Sequence, residues 1–230
     1  MRTAARVLVA ASMIGAAAAG YFGYQAFVPE RAPSTRVAAI PSAPPPAAAD
    51  AAAAAPARTP IPEVLPEITM QDRAGRSRKL SEWSGRPLLI NFWATWCAPC
   101  RREIPLLRKL RAERKDQQLE VIGIAVDFRD EVLKYAATIG LDYPLLIGED
   151  DGLAAAAAFG MDLVLPFTIF ADRQGRIVTL KVGELHADEA AFILDTVRDI
   201  DAGRVQLPAG RRLIADRLNE LAVIRAKSAN

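Results

Sequence analysis

The stretch Trp96-Cys-Ala-Pro-Cys100 decides the fold, and its two cysteines are the only ones in a chain of 230 residues. An apolar run from Pro87 to Trp93 precedes it and predicts a buried strand. Pro99 suits the first turn of a helix, because proline lacks an amide hydrogen that this turn could not use. Two cysteines with this spacing at the start of a helix are typical of a redox motif. The sequence therefore predicts that the chain makes and breaks a bond between Cys97 and Cys100.

The spacing also predicts a role for each sulfur. Three residues make about one helical turn, so Cys100 lies beneath Cys97 and can attack a mixed disulfide formed there. The unpaired amide groups at the helix start favour the thiolate of Cys97, which we expect to be the nucleophile, with Cys100 as the resolving cysteine. One alternative is a purely structural disulfide, although so short a loop removes little chain entropy. Another is zinc, which would need two further ligands where the chain offers one histidine, His186.

Four segments carry a resemblance to a known family, namely Asn91-Phe-Trp-Ala-Thr-Trp-Cys-Ala-Pro-Cys100, Leu80-Ser-Glu-Trp-Ser-Gly85, Leu165-Pro-Phe-Thr168 and Glu103. From about Ile68 to about Ile200 the chain resembles the thioredoxin superfamily, and within it the membrane-anchored TlpA/ResA-like thiol-disulfide oxidoreductases. The resemblance implies an α/β thioredoxin fold, in which helices flank a central mixed β-sheet, with an N-terminal β-hairpin. It also implies a central insertion, which corresponds to Asp130 to Leu146.

The same resemblance implies the site residues. Those expected in catalysis are Cys97, Cys100, Glu103 and Pro166, and those expected in substrate docking are Trp96, Ala98, Pro99 and Leu165. Thioredoxin itself has an aspartate six residues before the first cysteine, whereas this chain has Asn91, which exchanges no proton at working pH. Glu103 lies one turn beyond Cys100 and is the expected proton acceptor, with a solvated helix charge as the alternative. Pro166 is expected to be cis and beside the sulfurs, with an ordinary loop proline as the alternative.

The tryptophans have separate expected roles. Trp93 and Trp96 are expected to shield the sulfurs from water and to present an apolar docking face. Trp83 is expected to lie in the core, and His186 at the surface.

The composition and charge of the chain limit the classes of molecule that it is expected to bind. The formal net charge is +2, and residues 1–62 hold five arginines against two acidic residues, so the remainder of the chain is nearly neutral. The first helix after the motif is basic but has few aromatic residues among its charges, so we expect no binding to nucleic acid. No cofactor is expected beyond the Cys97–Cys100 disulfide, and no metal.

The amino end predicts the compartment. Residues 1–28 include an uncharged stretch from Val7 to Val28, close to the roughly 20 residues that a helix needs to cross a bilayer. A cleaved signal peptide is the alternative, but uncleaved aromatics at residues 21–27 would lie at the far membrane interface, so we favour an anchor. Residues 29–62 are rich in proline and alanine and predict a semi-stiff linker. The expected location is the bacterial inner membrane, with the catalytic domain in the periplasm.

Residues 63–202 are the predicted thioredoxin-like domain, and residues 203–230 a C-terminal extension. Strands are predicted near Glu67 to Met70, Arg76 to Leu80, Pro87 to Trp93, Leu119 to Val126, Phe167 to Ala171 and Arg176 to Val182, and the Asp172-Arg-Gln-Gly175 turn is predicted to join the last two as a hairpin. Helices are predicted near Pro99 to Lys115, Asp130 to Ile139, Gly152 to Phe159 and Ala187 to Asp201. Apolar residues at helical spacing predict an amphipathic helix over residues 209–226. It could pack on the domain, which is the default, pair two protomers or touch the membrane.

These expectations combine into an exported, membrane-tethered enzyme that reduces disulfides in envelope proteins. The resemblance implies apocytochrome c and copper-site subunits of respiratory oxidases as substrates, and a membrane thiol shuttle as the reductant. An oxidase that donates its disulfide is the main alternative, and a metal-delivery module on the same fold is another. A peroxidase is a weaker alternative, because the peroxidatic cysteine context is absent.

Overall fold

A seven-stranded mixed sheet organises the residues that the computed structural model describes, 60–162 and 164–228. The strands are β1 (Thr69–Asp72), β2 (Ser77–Lys79), β3 (Leu88–Trp93), β4 (Glu120–Ala125), β5 (Leu145–Ile147), β6 (Phe167–Ala171) and β7 (Ile177–Val182). They lie in the order β2-β1-β5-β4-β3-β6-β7. The helices are α1 (Ala98–Glu113), α2 (Arg129–Thr138), α3 (Glu149–Ala158), α4 (Ala187–Asp201) and α5 (Leu207–Ser228). The predicted α/β architecture and N-terminal β1–β2 hairpin are confirmed.

The centre of the sheet explains why β3 is apolar throughout. β3 pairs in parallel with β4 and antiparallel with β6, and every residue of the three strands is buried. A strand covered on both faces needs apolar side chains at consecutive positions and not only at alternate ones. Asn91 is the one polar residue of β3. It lies on the same face as Leu89 and Trp93, which pack in the core that contains both cysteines.

The two faces of the sheet carry separate cores. One core joins the sheet to α1, α2, α4 and α5 and includes Cys97, Cys100 and Leu107. The other joins the sheet to α3 and to a short 3-10 turn at Leu80–Trp83. Trp83 is buried in this second core, as predicted. The redox motif therefore starts from the centre of the molecule, with packed side chains beneath it.

Most predicted elements are confirmed to within a few residues, and β5 is the main omission. The insertion builds α2 and then β5, which pairs with β4 on one side and β1 on the other. Three residues, Leu145–Ile147, give too short an apolar run to stand out in the sequence. The first strand lies two residues later than predicted, and α3 begins at Glu149, three residues earlier than predicted.

The C-terminal extension folds onto the domain. Helix α5 packs against α4 and β7, with Ile214 and Leu221 buried, so the default expectation for this helix is confirmed. Arg211 of α5 also donates to the carbonyl of Ile177 at 2.6 Å and so covers part of the β7 edge. Within residues 60–162 and 164–228, no helix is long and apolar enough to cross a membrane. The predicted anchor and nearly all of the predicted linker lie outside the described residues.

Candidate active site

The turn between β3 and α1 places the motif at the carboxyl end of the central strand. Ala94 accepts the N–H of Cys97 at 3.2 Å, which closes the turn. Asp127, just after β4, accepts both the N–H and the hydroxyl of Thr95 through Oδ2. Since β3 and β4 are parallel neighbours, their ends meet at one edge of the sheet. Asp127 therefore fixes the motif from the adjacent strand.

The two cysteines form a disulfide and differ in exposure. Cys97 is the N-cap of α1, and its sulfur accepts the N–H of Cys100 at 3.3 Å. Cys97 keeps 5% of its surface exposed, whereas Cys100 has none. A substrate sulfur approaching from solvent therefore reaches Cys97 first. This geometry agrees with the predicted order of attack.

Glu103 lies buried one helical turn beyond Cys100 and is not the solvated charge of the alternative interpretation. Only 2% of its surface is exposed. Its two carboxylate oxygens accept hydrogen bonds from Asn91 Nδ2 at 2.6 Å and from the N–H of Leu185 at 2.8 Å. Burial raises the pKa of Glu103 to about 7, although these two hydrogen bonds act to lower it. Glu184 raises the pKa further and Lys181 lowers it, so this carboxyl titrates near neutrality.

Asn91 extends the network to β6. Its Nδ2 also donates to the hydroxyl of Thr168 at 3.0 Å, and Thr168 pairs with Asn91 across the two strands. Where thioredoxin has a titrating aspartate, this chain has Asn91, whose side-chain amide donates a hydrogen bond to the Glu103 carboxylate. The roles of Thr168 and of the Leu185 N–H were not predicted. A backbone N–H leaves no trace in residue identity, although Thr168 lies in the recognised Leu165–Thr168 segment.

The Leu165–Pro166 bond is cis, as the resemblance implied. Phe167 pairs with Phe92, so Pro166 lies beside the end of β3 from which the motif starts. Gly183 donates its N–H to the Pro166 carbonyl at 2.8 Å, which ties this loop to the segment after β7.

The predicted docking residues divide by exposure. Trp96 is 64% exposed and Ala98 is also exposed, whereas Pro99 and Leu165 are half-buried. Trp93 does not present a docking face, because it is fully buried in the core and its indole cannot reach solvent. Sequence reasoning missed Phe128, which is 63% exposed beside the Asp127–Thr95 contact. A phenylalanine two residues beyond the predicted strand Leu119 to Val126 was the available signal.

Known proteins resemble the domain that carries this site. The AhpC/TSA family matches residues 61–180, more than half of the chain. The chain belongs to the AhpC/TSA family. It is 28% identical over 134 residues to the thiol-disulfide oxidoreductase ResA of Geobacillus thermodenitrificans, covering 58% of this chain and 75% of that protein. It is 32% identical over 134 residues to the thioredoxin-like protein YneN of Bacillus subtilis, covering 56% and 76%.

Solved structures confirm the thioredoxin-like fold. The secreted thiol-disulfide isomerase of Corynebacterium glutamicum superposes with a TM-score of 0.51 at 29% identity, covering 55% of this chain and 80% of that one. Within the AhpC/TSA family this chain is therefore a thiol-disulfide oxidoreductase of ResA type. The match to the family ends at residue 180, before α4 and α5.

The basic residues of α1 in this AhpC/TSA member are largely neutralised. Arg102 pairs with Glu184, Arg108 with Asp142, Lys109 with Glu113 and Arg111 with Glu120, and Arg114, directly after the helix, pairs with Asp195. A helix whose cations are already paired presents little free positive field.

Proposed function

We propose that this protein reduces disulfide bonds in other proteins outside the cytoplasm, while residues 1–28 hold it to the membrane. The observation that carries the proposal is the buried carboxyl of Glu103, with a pKa of about 7, one turn beyond the resolving cysteine. An acid that titrates at neutral pH can take up and release the proton of Cys100 during turnover.

The proposed reaction transfers two electrons from the Cys97–Cys100 dithiol to the substrate disulfide. The thiolate of reduced Cys97 attacks one sulfur of the substrate disulfide, whose S–S bond breaks as a mixed disulfide forms. Cys100 then transfers its proton to Glu103 and attacks the sulfur of Cys97. The mixed disulfide breaks and the Cys97–Cys100 disulfide forms, while the two substrate thiolates take up one proton from Glu103 and one from water and leave as a dithiol. A thiol reductant of the membrane restores the dithiol.

The direction of electron flow follows from charge. The helix amides favour a thiolate at Cys97, but Asn91 is neutral and the Glu103 carboxylate makes a second negative charge nearby unfavourable. The reduced and ionised pair is therefore less stable relative to the disulfide, which makes the dithiol a better electron donor. This argument supports a reductase over an oxidase.

The surface around Cys97 supports a protein substrate. Trp96, Phe128 and Val164 are exposed large apolar side chains on the segments after β3, after β4 and before Pro166, at 64%, 63% and 49%. Exposed aromatic groups suit an unfolded or extended polypeptide. Apocytochrome c and copper-site subunits of oxidases are the substrate classes we propose.

The redox potential tests the proposal. Equilibration with glutathione should give a value nearer the roughly −270 mV of thioredoxin than the roughly −120 mV of DsbA. Cys100→Ala should trap substrates on Cys97 as mixed disulfides, and these should be proteins that need reduced cysteines. A potential near that of DsbA, with newly exported proteins trapped, would instead establish an oxidase.

The proposed membrane anchor has its own test. The mature protein should resist alkaline carbonate extraction, and a soluble form beginning near Gly20 would contradict the anchor.

A further inference from the structure

The loop between β7 and α4 contacts the active site at three points. Gly183 donates to the carbonyl of Pro166 at 2.8 Å, and Leu185 donates to Glu103 at 2.8 Å. Glu184, between them, pairs with an arginine of α1 through two guanidinium nitrogens. The position of this loop therefore decides whether the N–H of Leu185 stays on the buried carboxylate.

The far side of the loop is held by α4 and α5. The side chain of Glu189, 3% exposed, accepts the N–H of His186 at 3.0 Å through Oε2. Its other oxygen accepts Arg225 Nη1 at 2.8 Å, and Arg225 Nη2 bonds Asp188 Oδ1 at 2.5 Å. Arg225 lies on α5, well beyond the residues 61–180 that match the family.

We propose that Arg225 is a positioning residue for Glu103. By bridging Asp188 and Glu189 it fixes the start of α4, and Glu189 in turn fixes the amide of His186. Because Leu185 directly precedes that amide, its own N–H is kept on Glu103. The proposal rests on the proposed role of Glu103 as the proton acceptor of Cys100. It gives the C-terminal helix a part in the redox chemistry.

Charged and titratable side chains face both carboxylates. Those around Glu189 are Lys181, His186 and Arg225, and those acting on Glu103 are Lys181, Glu184 and Tyr143. Since Arg225 bonds Asp188 and Glu189, it acts on Glu103 through the loop. Loss of the Leu185 N–H removes a hydrogen bond to the charged form of Glu103, so the opposing effect of burial then raises its pKa further.

The test is a pH titration of the Glu103 carboxyl by carbon NMR, in the disulfide form of the full chain. The midpoint should lie near pH 7 in the natural protein. Arg225→Gln should raise it by about one pH unit, which corresponds to the loss of one hydrogen bond to a charged group. Arg217→Gln is the matched control, because Arg217 lies on the same helix and, among the residues that the structure describes, pairs only with Glu220, at 2.5 Å, so the midpoint should not move.

A second measurement separates positioning from general stabilisation. Amide hydrogen exchange at Leu185 should become about tenfold faster in Arg225→Gln and stay unchanged in Arg217→Gln. Arg225→Lys keeps the charge but lacks the planar fork that bridges two carboxylates, so its shift should be smaller and in the same direction. If Arg225→Gln does not fold, Arg225→Lys carries the test. A lowered Tm with an unchanged midpoint and unchanged exchange at Leu185 would overturn the proposal.

Failure of this inference and failure of the proposed function are distinguishable, because the titration needs no turnover. If Glu103→Gln left the pH dependence of turnover unchanged, Glu103 would not be the proton acceptor, even with the Arg225→Gln shift intact. If the titration midpoint of Glu103 did not move in either Arg225 variant, the positioning role of Arg225 would be wrong. The role of Glu103 as proton acceptor would stand.

Discussion

At the scale of single residues, burial of the ionised Glu103 carboxylate lowers the stability of the folded protein. A carboxylate with 2% exposure loses most of its hydration, and the hydrogen bonds from Asn91 and Leu185 offset only part of that cost, so its pKa rises from 4.5 to about 7. The folded chain therefore holds this proton more tightly than the unfolded chain does. The stability gained from the bound proton is complete below about pH 4.5 and is lost as the pH rises through 7.

Glu103→Gln should remove this dependence. Between pH 5.5 and 8.5 the free energy of unfolding of the natural protein should fall by about 2 kcal/mol more than that of Glu103→Gln. Turnover should rise about tenfold from pH 6 to pH 8 in the natural protein, as Glu103 loses its proton and becomes a base, and should be flatter in the variant. Denaturation at a series of pH values measures the first effect. Both proteins contain His186, so any contribution from it cancels in the comparison. Parallel profiles of unfolding free energy against pH would contradict a raised pKa at Glu103.

The two sulfurs should differ in reactivity once the disulfide is reduced. Cys97 is the partly exposed N-cap of α1, whereas Cys100 is fully buried. A thiol alkylating agent at neutral pH should therefore label Cys97 much faster than Cys100, because both access and the helix amides favour it. Peptide mass spectrometry of partly labelled protein gives the ratio. Equal rates at the two positions would contradict Cys97 as the nucleophile.

Residue identity predicted Glu103 but not its surroundings. The family resemblance, together with the spacing from Cys100 and the neutral Asn91, led to the proposal of a proton acceptor. The burial of Glu103 depends on the loop that brings Leu185 over it, and Leu185 lies 82 residues further along the chain. Trp93 was misjudged for a similar reason, because the packing of α2 over this face, seen in the contact of Trp93 with Tyr135, is not visible in a local pattern.

At the scale of elements, two hairpins are built from one local pattern. Asp72-Arg-Ala-Gly-Arg76 turns β1 into β2, and Asp172-Arg-Gln-Gly-Arg176 turns β6 into β7. In each, the aspartate accepts N–H groups two and four residues on and pairs with the arginine four residues on. Each turn has a glycine at positive φ, +77° at Gly75 and +74° at Gly175, a conformation that glycine adopts freely.

The two aspartates should nevertheless differ in importance. The Asp172 side chain is fully buried, so Asp172→Ala removes three hydrogen bonds, one of them from the Arg176 side chain, and should cost about 3 kcal/mol of unfolding free energy. Asp72→Ala breaks the same bonds where Arg76 is 71% exposed and water replaces them, so the loss should be smaller. Chemical denaturation of both variants provides the comparison. A larger loss at Asp72 would mean that burial does not set the strength of these turns.

These turns were more predictable than the strand pairing around them. The Asp172–Gly175 turn and both strands of its hairpin were predicted, because the signal is local. Strand β5 was not predicted, since three apolar residues acquire strand geometry only by pairing with β4 and β1. Its place between those strands depends on the whole insertion.

At the scale of the whole molecule, α5 joins the domain although it lies outside the family match. Ile214 is fully buried in the same core as both cysteines, and Leu221 is also buried. Arg211 and Arg225 add contacts to the edge of β7 and the start of α4. The helical spacing of the apolar residues predicted this helix, but its partner could not be deduced because an apolar stripe does not specify what covers it.

If α5 is an integral part of the cooperative unit, Ile214→Ala should destabilise the whole domain. Removing a fully buried isoleucine leaves a cavity in the core shared with α1 and α4, at an expected cost of about 2 to 4 kcal/mol. Leu213→Ala is the matched control, because the neighbouring Leu213 is 49% exposed and should cost less than about 1 kcal/mol. Both variants should unfold in one transition, detected together by tryptophan fluorescence, to which the buried Trp83 and Trp93 contribute, and by helical circular dichroism. An early loss of helix signal at unchanged fluorescence in Ile214→Ala would instead mean that α5 detaches alone, and the link from Arg225 to the active site would then be broken without unfolding the core.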